Sequence, residues 1–409
     1  MAEILPFRAL RPPAEIAQHL ASPPYDVLSS DEARQLARGN AESFLHITKA
    51  EIDLPAGVDP HSPEVYQQAA ENLHRFELNG LLREEEQACF YIYRLTMQGR
   101  SQTGLVCLSS IADYHADVIK KHELTRPEKE KDRIDHMLAT GAHTGNVFLA
   151  YRDVRQVNEV IAAWQGSHPP VYDFSADDAV RHTIWLVDDA ATIDRLQQHF
   201  RKGVPVTYVA DGHHRAASAA RVSDRLKENR EAHYFLTTIF PASELKILDY
   251  NRVVKDLHGM PVKALLEKLR ADFLVEESAA PVTPARLHEF GLYADHRWYR
   301  LTAKEGSYST DPIGVLDVSI LSQNVLEKWL GIKDQRTDNR IDFVGGIRGL
   351  AELEKRVDSG DMQAAFSLYP VSIEQLFNIA DSGNVMPPKS TWFEPKLRDG
   401  LLTHLFQKS

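Results

Sequence analysis

The run Tyr208-Val209-Ala210-Asp211-Gly212-His213-His214-Arg215 holds the densest chemistry in the chain. A β-like stretch feeds a glycine, and helical spacing resumes at Ala216, Ala217, Ala219, Ala220 and Val222. A helix that starts directly after a strand exposes unpaired N–H groups and the positive end of its dipole. Phosphate and carboxylate groups favour such a place. Gly212 lets the backbone approach an anion closely, and Arg215 can grip one with two donors. His213 and His214 can donate hydrogen bonds or take up a proton near neutral pH. Asp211 is a candidate for holding Mg²⁺, directly or through water. The bland alternative is a surface turn with an Asp cap and solvated histidines. Zinc is a weaker alternative, because two adjacent histidines point different ways and no third ligand stands at the usual spacing. The crowding of an Asp, a Gly, two His and an Arg into one turn favours an anion site.

Three further segments offer chemistry. In Lys121–Arg133, His122, Glu123 and Thr125 precede a helix that Pro127 suits as its first residue. Lys129 and Arg133 lie one turn apart there, although a solvated, salt-bridged helix explains the charges equally well. In Ser22-Pro23-Pro24-Tyr25-Asp26, consecutive prolines stiffen the chain and can hold Tyr25 and Asp26 in place. A purely structural turn is the alternative. In Met386–Lys396, the residues Lys389, Ser390, Thr391 and Lys396 supply cationic and hydroxyl donors. Trp392 and Phe393 suit either packing or stacking on a planar ligand.

The elements that must position these residues alternate between short β-like runs and helical patterns, a mixture of α and β. The spacing predicts a helix near Ser30, capped by Ser29 or Ser30, and an amphipathic helix over 64–78. Cys89–Met97 and Thr103–Ile111 read as a hairpin turned by residues 98–102. Strands are expected at 147–151, 183–187, 204–210 and 233–240, with a helix over 154–164. A second region is expected from about residue 258: a helix over 262–269, a hairpin around Asp295-His296, a helical stripe from Val318 to Trp329, and a capping box at Ser372–Gln375. The domain expectation is therefore a phosphate-binding region at 1–258 and a C-terminal α/β region at 259–409 that packs back on the site.

The 409 residues carry 43% apolar and 26% charged side chains and a formal net charge of -11. That balance disfavours nucleic acid and anionic membrane surfaces as partners. Cys89 and Cys107 sit in apolar runs without metal spacing and read as buried thiols. The N-terminus lacks a basic stretch followed by an apolar run, and no segment is long and apolar enough to span a bilayer. A soluble, cytoplasmic protein is expected, with homo-oligomers left open.

PPYDVL (23–28), KHELT (121–125), KEKDR (129–133), ADGHHR (210–215) and MPPKSTWFEPK (386–396), in this order, resemble a widespread bacterial family known only as a domain of unknown function. Through ADGHHR that family is in turn similar to the archaeal ADP-dependent free-serine kinase and the ParB/sulfiredoxin fold. The resemblance implies an α+β fold: a mixed sheet with flanking helices and a phosphate-binding turn, elaborated by large insertions. His213 stands where sulfiredoxin has its reactive cysteine, which argues against sulfinic-acid repair. The kinase uses an N-terminal acidic residue as base, and Asp26 and Glu123 are the candidates here.

The expected function is phosphoryl transfer between ADP or ATP and a hydroxyl-bearing metabolite, a serine-like acceptor favoured, with Mg²⁺. Asp211, Gly212, His213, His214, Arg215, Arg133, Lys389, Ser390, Thr391 and Lys396 are the expected phosphate and nucleotide contacts. Asp26, Glu123, His213 and His214 are the expected catalytic groups. A non-catalytic nucleotide or phosphometabolite sensor, and a phosphoesterase, are the alternatives. Arg215→Ala is expected to weaken nucleotide binding without unfolding the protein.

Overall fold

The computed structural model describes residues 1–407. The chain divides into two compact units. The first comprises Met1–Lys121, Thr125–Leu245 and Pro395–Ser409; the second comprises His122–Leu124 and Lys246–Glu394. The division thus falls at Lys246, twelve residues before the expected 258, and the chain returns to the first unit at Pro395.

In the first unit, nine strands form one sheet among the described residues. From one edge the order is Ile119–Lys120, Thr207–Asp211, Val147–Tyr151, Tyr234–Pro241, Arg100–Ser110, Phe90–Met97, Arg181–Val187 and Tyr172–Ser175, with Ile4–Leu5 added to Arg100–Ser110. Two pairings are parallel, Thr207–Asp211 with Ile119–Lys120 and Tyr234–Pro241 with Val147–Tyr151; the others are antiparallel. This is the α+β class with a mixed sheet and flanking helices. Ile92, Leu105, Cys107, Leu149 and Val209 join one buried core with Phe200 and with Ala216, Ala219 and Ala220 of the helix His213–Arg225. Both cysteines are buried and unbridged, and burial pushes their thiols up, to about 11 for Cys89 and about 12 for Cys107.

The hairpin at residues 90–110 is tighter than expected. Its turn is Gln98-Gly99 alone, both at positive φ (51° and 77°), and the second strand starts at Arg100. Two central residues at positive φ match the twist of the flanking strands. The strand expected from residue 204 starts at Thr207, because Val204 caps the helix Ala190–Gly203. Amphipathic helices occupy Pro63–Leu78, Pro127–Thr140 and Arg155–Ser167, with Pro127 opening the second as its position suggested.

The second unit is built on a six-stranded antiparallel sheet. Its order is Phe273–Ser278, Arg297–Ala303, Glu289–Ala294, Ala364–Leu368, Tyr250–Val254 and Ile341–Gly345. Asp295-His296 turns its hairpin as expected, both residues at positive φ. The stripe from Val318 forms a short α-helix, Asp317–Leu321, that widens into a π-helix over Ser322–Glu327. Ile373–Asp381 carries the capping box of Ser372 and Gln375. Trp392–Phe393 pairs with Ile247–Leu248, so the irregular C-terminal run does contain a short strand.

Candidate anion-binding site

The strand Thr207–Asp211 is pinned between two neighbours, and its register against Val147–Tyr151 slips between Val209 and Asp211. One extra residue in a strand bends it and re-aims the next side chain. Gly212 follows at φ 92° and ψ 30°, a left-handed conformation that costs other residues energy. The helix begins at His213, three residues before its alanine stripe. The small faces of Ala216, Ala219 and Ala220 let it lie close to the sheet, which fixes the turn against the core.

Arg215, one turn into this helix, is buried (6% exposed). Its guanidinium donates to the carbonyl of Asn146 and lies 3.6 Å from Asp26 Oδ2 and 3.8 Å from Asp211 Oδ2. A Cβ added to Gly212 would stand 3.0 Å from Arg215 Nε, so glycine is required by space as well as by φ. Arg215 Nε itself is buried without a hydrogen-bond partner. Burial disfavours the cation, but Asp26 and Asp211, with Tyr25 and Asp399, hold it charged well above neutral pH.

Asp211 accepts the Gly212 N–H on Oδ1 at 2.9 Å and the Lys396 ammonium on Oδ2 at 3.0 Å. Burial pushes its carboxyl up, but Lys396 and Arg215 outweigh that and hold it well below the usual carboxylate range. A divalent ion on this carboxylate would sit beside two cations, so Asp211 does not fit as a direct Mg²⁺ ligand. His214 Nε2 accepts the backbone N–H of Arg126 at 3.0 Å. That bond needs a lone pair on Nε2, so the ring proton of neutral His214 stands on Nδ1. His213 is buried in the first turn of the helix.

Asp26 lies on the short 3-10 helix Tyr25–Val27, as the preceding prolines suggested. Arg133 sits differently from the expectation of a phosphate contact. Its Nε donates to Asp132 Oδ2 at 2.8 Å, and its guanidinium stacks 3.9 Å from the Tyr25 ring centroid. Asp132 also accepts from His61 and Tyr66 at 2.8 and 2.9 Å. This network supports Tyr25 and hence the position of Asp26.

One group the motifs did not single out belongs here. Asp399 is 2% exposed, its Oδ2 is buried without a partner, and it accepts the Tyr25 backbone N–H. A Cβ on Gly145 would stand 3.2 Å from Asp399 Oδ1 and 3.5 Å from Arg215 Cδ, so Gly145 keeps the two adjacent. Burial pushes the Asp399 carboxyl up to about 7, against the pull of Arg215 and with the push of Asp26. Its only sequence signal is its place three residues after Lys396.

The remaining expected residues, Glu123, Lys389, Ser390 and Thr391, belong to the second unit. There the segments 122–124 and 386–391 converge. Met386 N–H donates to the His122 carbonyl at 2.8 Å, and Thr391 Oγ1 lies 3.5 Å from His122 Nε2. Ser390 donates to the Pro387 carbonyl at 2.6 Å, and Lys389 holds φ 58°. The loop is tied to the sheet by Arg252, which is fully buried and donates to the carbonyls of Tyr250 and Pro388. Burial brings the Arg252 guanidinium down to about 10, so it remains a cation.

Among solved structures, a point variant of free serine kinase in complex with AMP is similar at 13% identity, over 73% of this chain and 91% of that one, with a TM-score of 0.38. A conserved hypothetical protein from Pyrococcus furiosus shows 16% identity over 73% and 94%, with a TM-score of 0.37. SbnI with a C-terminal truncation, from Staphylococcus aureus, shows 10% over 73% and 87%, with a TM-score of 0.38. No curated protein matches the chain in sequence. The family model described as Protein of unknown function (DUF1015) matches residues 4–319, and the chain belongs to that family.

Proposed function

We propose that the turn at Asp211–Arg215 binds the phosphates of a nucleotide and that the protein transfers a phosphoryl group between ADP or ATP and a small hydroxyl-bearing metabolite, a serine-like acceptor favoured. The single observation that carries this reading is a cation built beneath a helix start: buried Arg215 packs against left-handed Gly212 and keeps an unsatisfied Nε. Phosphoryl transfer asks mainly for positioning and charge neutralisation. The amides after Gly212 and the Arg215 guanidinium hold the phosphate oxygens. His213 and His214 stabilise the transferring oxygens, His214 through its Nδ1 proton. Lys396 leaves Asp211 for the incoming anion. Asp26, held by Tyr25 and Arg133, orients or deprotonates the acceptor hydroxyl. A well-placed base contributes about 10²- to 10⁴-fold in rate, so Asp26→Asn should abolish detectable turnover and spare ADP binding.

A second reading, binding without turnover, draws on a specific observation: Asp26 and Asp211 each face a cation. The test is thermal shift with ADP and ATP, with and without Mg²⁺, followed by a search for phosphorylated product with serine and other small hydroxyl compounds. Nucleotide binding with no product from any acceptor supports the sensor. Phosphate release without an acceptor supports a phosphoesterase. No nucleotide binding sinks the phosphotransferase and the nucleotide sensor together.

A further inference from the structure

Three carboxylates converge on one guanidinium. Asp26 and Asp211 lie 3.6 and 3.8 Å from Arg215 NH2, and Asp399 stands beside it across Gly145. Asp26 and Asp211 are partly open to solvent, whereas Asp399 is buried. Its main chain is fixed by two bonds with Ser22, Asp399 N–H to the Ser22 carbonyl at 3.0 Å and Ser22 N–H to the Asp399 carbonyl at 3.1 Å. The carboxyl thus stands on a pinned main chain and is buried from water. Its Oδ2 and the Arg215 Nε are both buried without hydrogen-bond partners, and each charge is felt by the other.

The charges that face Asp399 are Arg215 from the helix His213–Arg225, Asp26 from the short helix Tyr25–Val27, and Arg133 from the helix Pro127–Thr140. Tyr25 meets it through its backbone N–H, and Tyr93 from the strand Phe90–Met97 faces it as a phenol. With Asp399 ionised, the carboxylates around Arg215 outnumber it before any anion arrives. A doubly charged phosphate docking there would meet a buried negative charge screened little by solvent. One proton on Asp399 Oδ2 removes that charge.

We propose that anion binding at the Gly212 turn is coupled to protonation of Asp399, which takes one proton from water as the phosphate docks against Arg215. The inference rests on the anion-site reading above and adds its regulation: the site loads with a proton. Asp399 is a positioning residue, acting through Arg215. The tuning of its carboxyl to about 7 supports the role, because the proton is then exchanged in the neutral range.

The experiment uses ADP as probe and the full chain. ADP affinity is measured at pH 7.5 and 8.5, where a phosphate with its second ionisation near about 6 is charged throughout. Coupling to one proton weakens binding by up to about tenfold over that unit of pH. Wild type should lose ADP affinity several-fold between the two values, and Asp399→Asn should bind equally at both. A flat wild-type profile, or a slope that survives in Asp399→Asn, overturns the coupling. Should that variant fail to fold, unbuffered wild type at pH 8 decides alone: adding ADP must raise the pH of the solution, and an unchanged reading overturns the proposal. Absence of ADP binding at either pH removes the anion site itself, an outcome distinct from binding without a slope.

Discussion

Arg215 carries two burdens, and its variants should separate them. Removing one partner of a buried ion pair strands the other, at a cost of about 3–5 kcal/mol. Asp26 and Asp211 are partly exposed, so the lower end applies. Arg215→Ala is therefore expected to melt at a clearly lower temperature as well as to lose ADP binding. Arg215→Lys, which keeps the charge but not the fork, should regain most of the melting temperature and little of the affinity. Equal loss of both properties in the two variants would assign Arg215 to structure alone. Gly212→Ala forces a Cβ against the guanidinium at φ 92°. The left-handed conformation costs about 1–2 kcal/mol, and the displaced arginine should cost ADP affinity too, measurable by titration calorimetry.

At the scale of elements, the helix His213–Arg225 has no side-chain N-cap, whereas Ser29 and Ser372 close full capping boxes on the helices that follow them. The bare start fits a place where a ligand, not a side chain, meets the first amides. Ser372→Ala should cost about 1 kcal/mol and lower the second unit's melting temperature by about 2–4 °C. No change would mean that packing of Leu376, Phe377 and Ile379 holds the helix without its cap. Asp317 opens the helix that turns into the π-helix. It accepts the His288 N–H at 2.9 Å, and its Oδ2 is buried without a partner. Burial pushes it up to about 7. A carboxyl raised in the folded state favours folding below its unfolded value and loses that contribution as pH climbs toward about 7. Asp317→Asn should therefore melt higher than wild type at pH 8 and no higher at pH 4, by scanning calorimetry.

Across the whole molecule the two units should answer pH in opposite directions. The first holds four buried histidines whose rings burial drives down: His136 to about 4, His182 to about 3, and His143 and His404 below the ordinary value. Their unfolded forms take up protons below about 6.5, so this unit loses stability as pH falls through that value. Asp399 and His46, which Asp53 raises, work against them, two groups against four. The second unit has Asp317 instead and gains stability over the same descent. Between pH 7.5 and 5 the first unit's transition should move to lower temperature and the second unit's to higher. A shift of both in the same direction would contradict the burial assigned to these groups. Among the described residues no helix is long and apolar enough to cross a membrane.

The sequence by itself determined what depends on neighbours along the chain: the cap at Ser29, the Ser372 capping box, the Pro127 helix start, the Asp295-His296 turn and the strand–Gly212–helix corner. These follow from local sterics and hydrogen bonding, which a few consecutive residues settle. It also determined the mixed α and β class, because apolar spacing alternates between two periods. What only the tertiary structure decided is which distant groups share a site. Asp399 lies 184 positions from Arg215 in the numbering, and no spacing rule links a carboxyl near the C-terminus to a guanidinium in mid-chain. That Arg133 bonds Asp132 and stacks on Tyr25 follows from no spacing along the chain. Arg252 gave no signal, since a cation buried against carbonyls looks in sequence like any strand arginine. Burial sets the charge states of Asp399 and Asp317, and burial is a property of the folded chain.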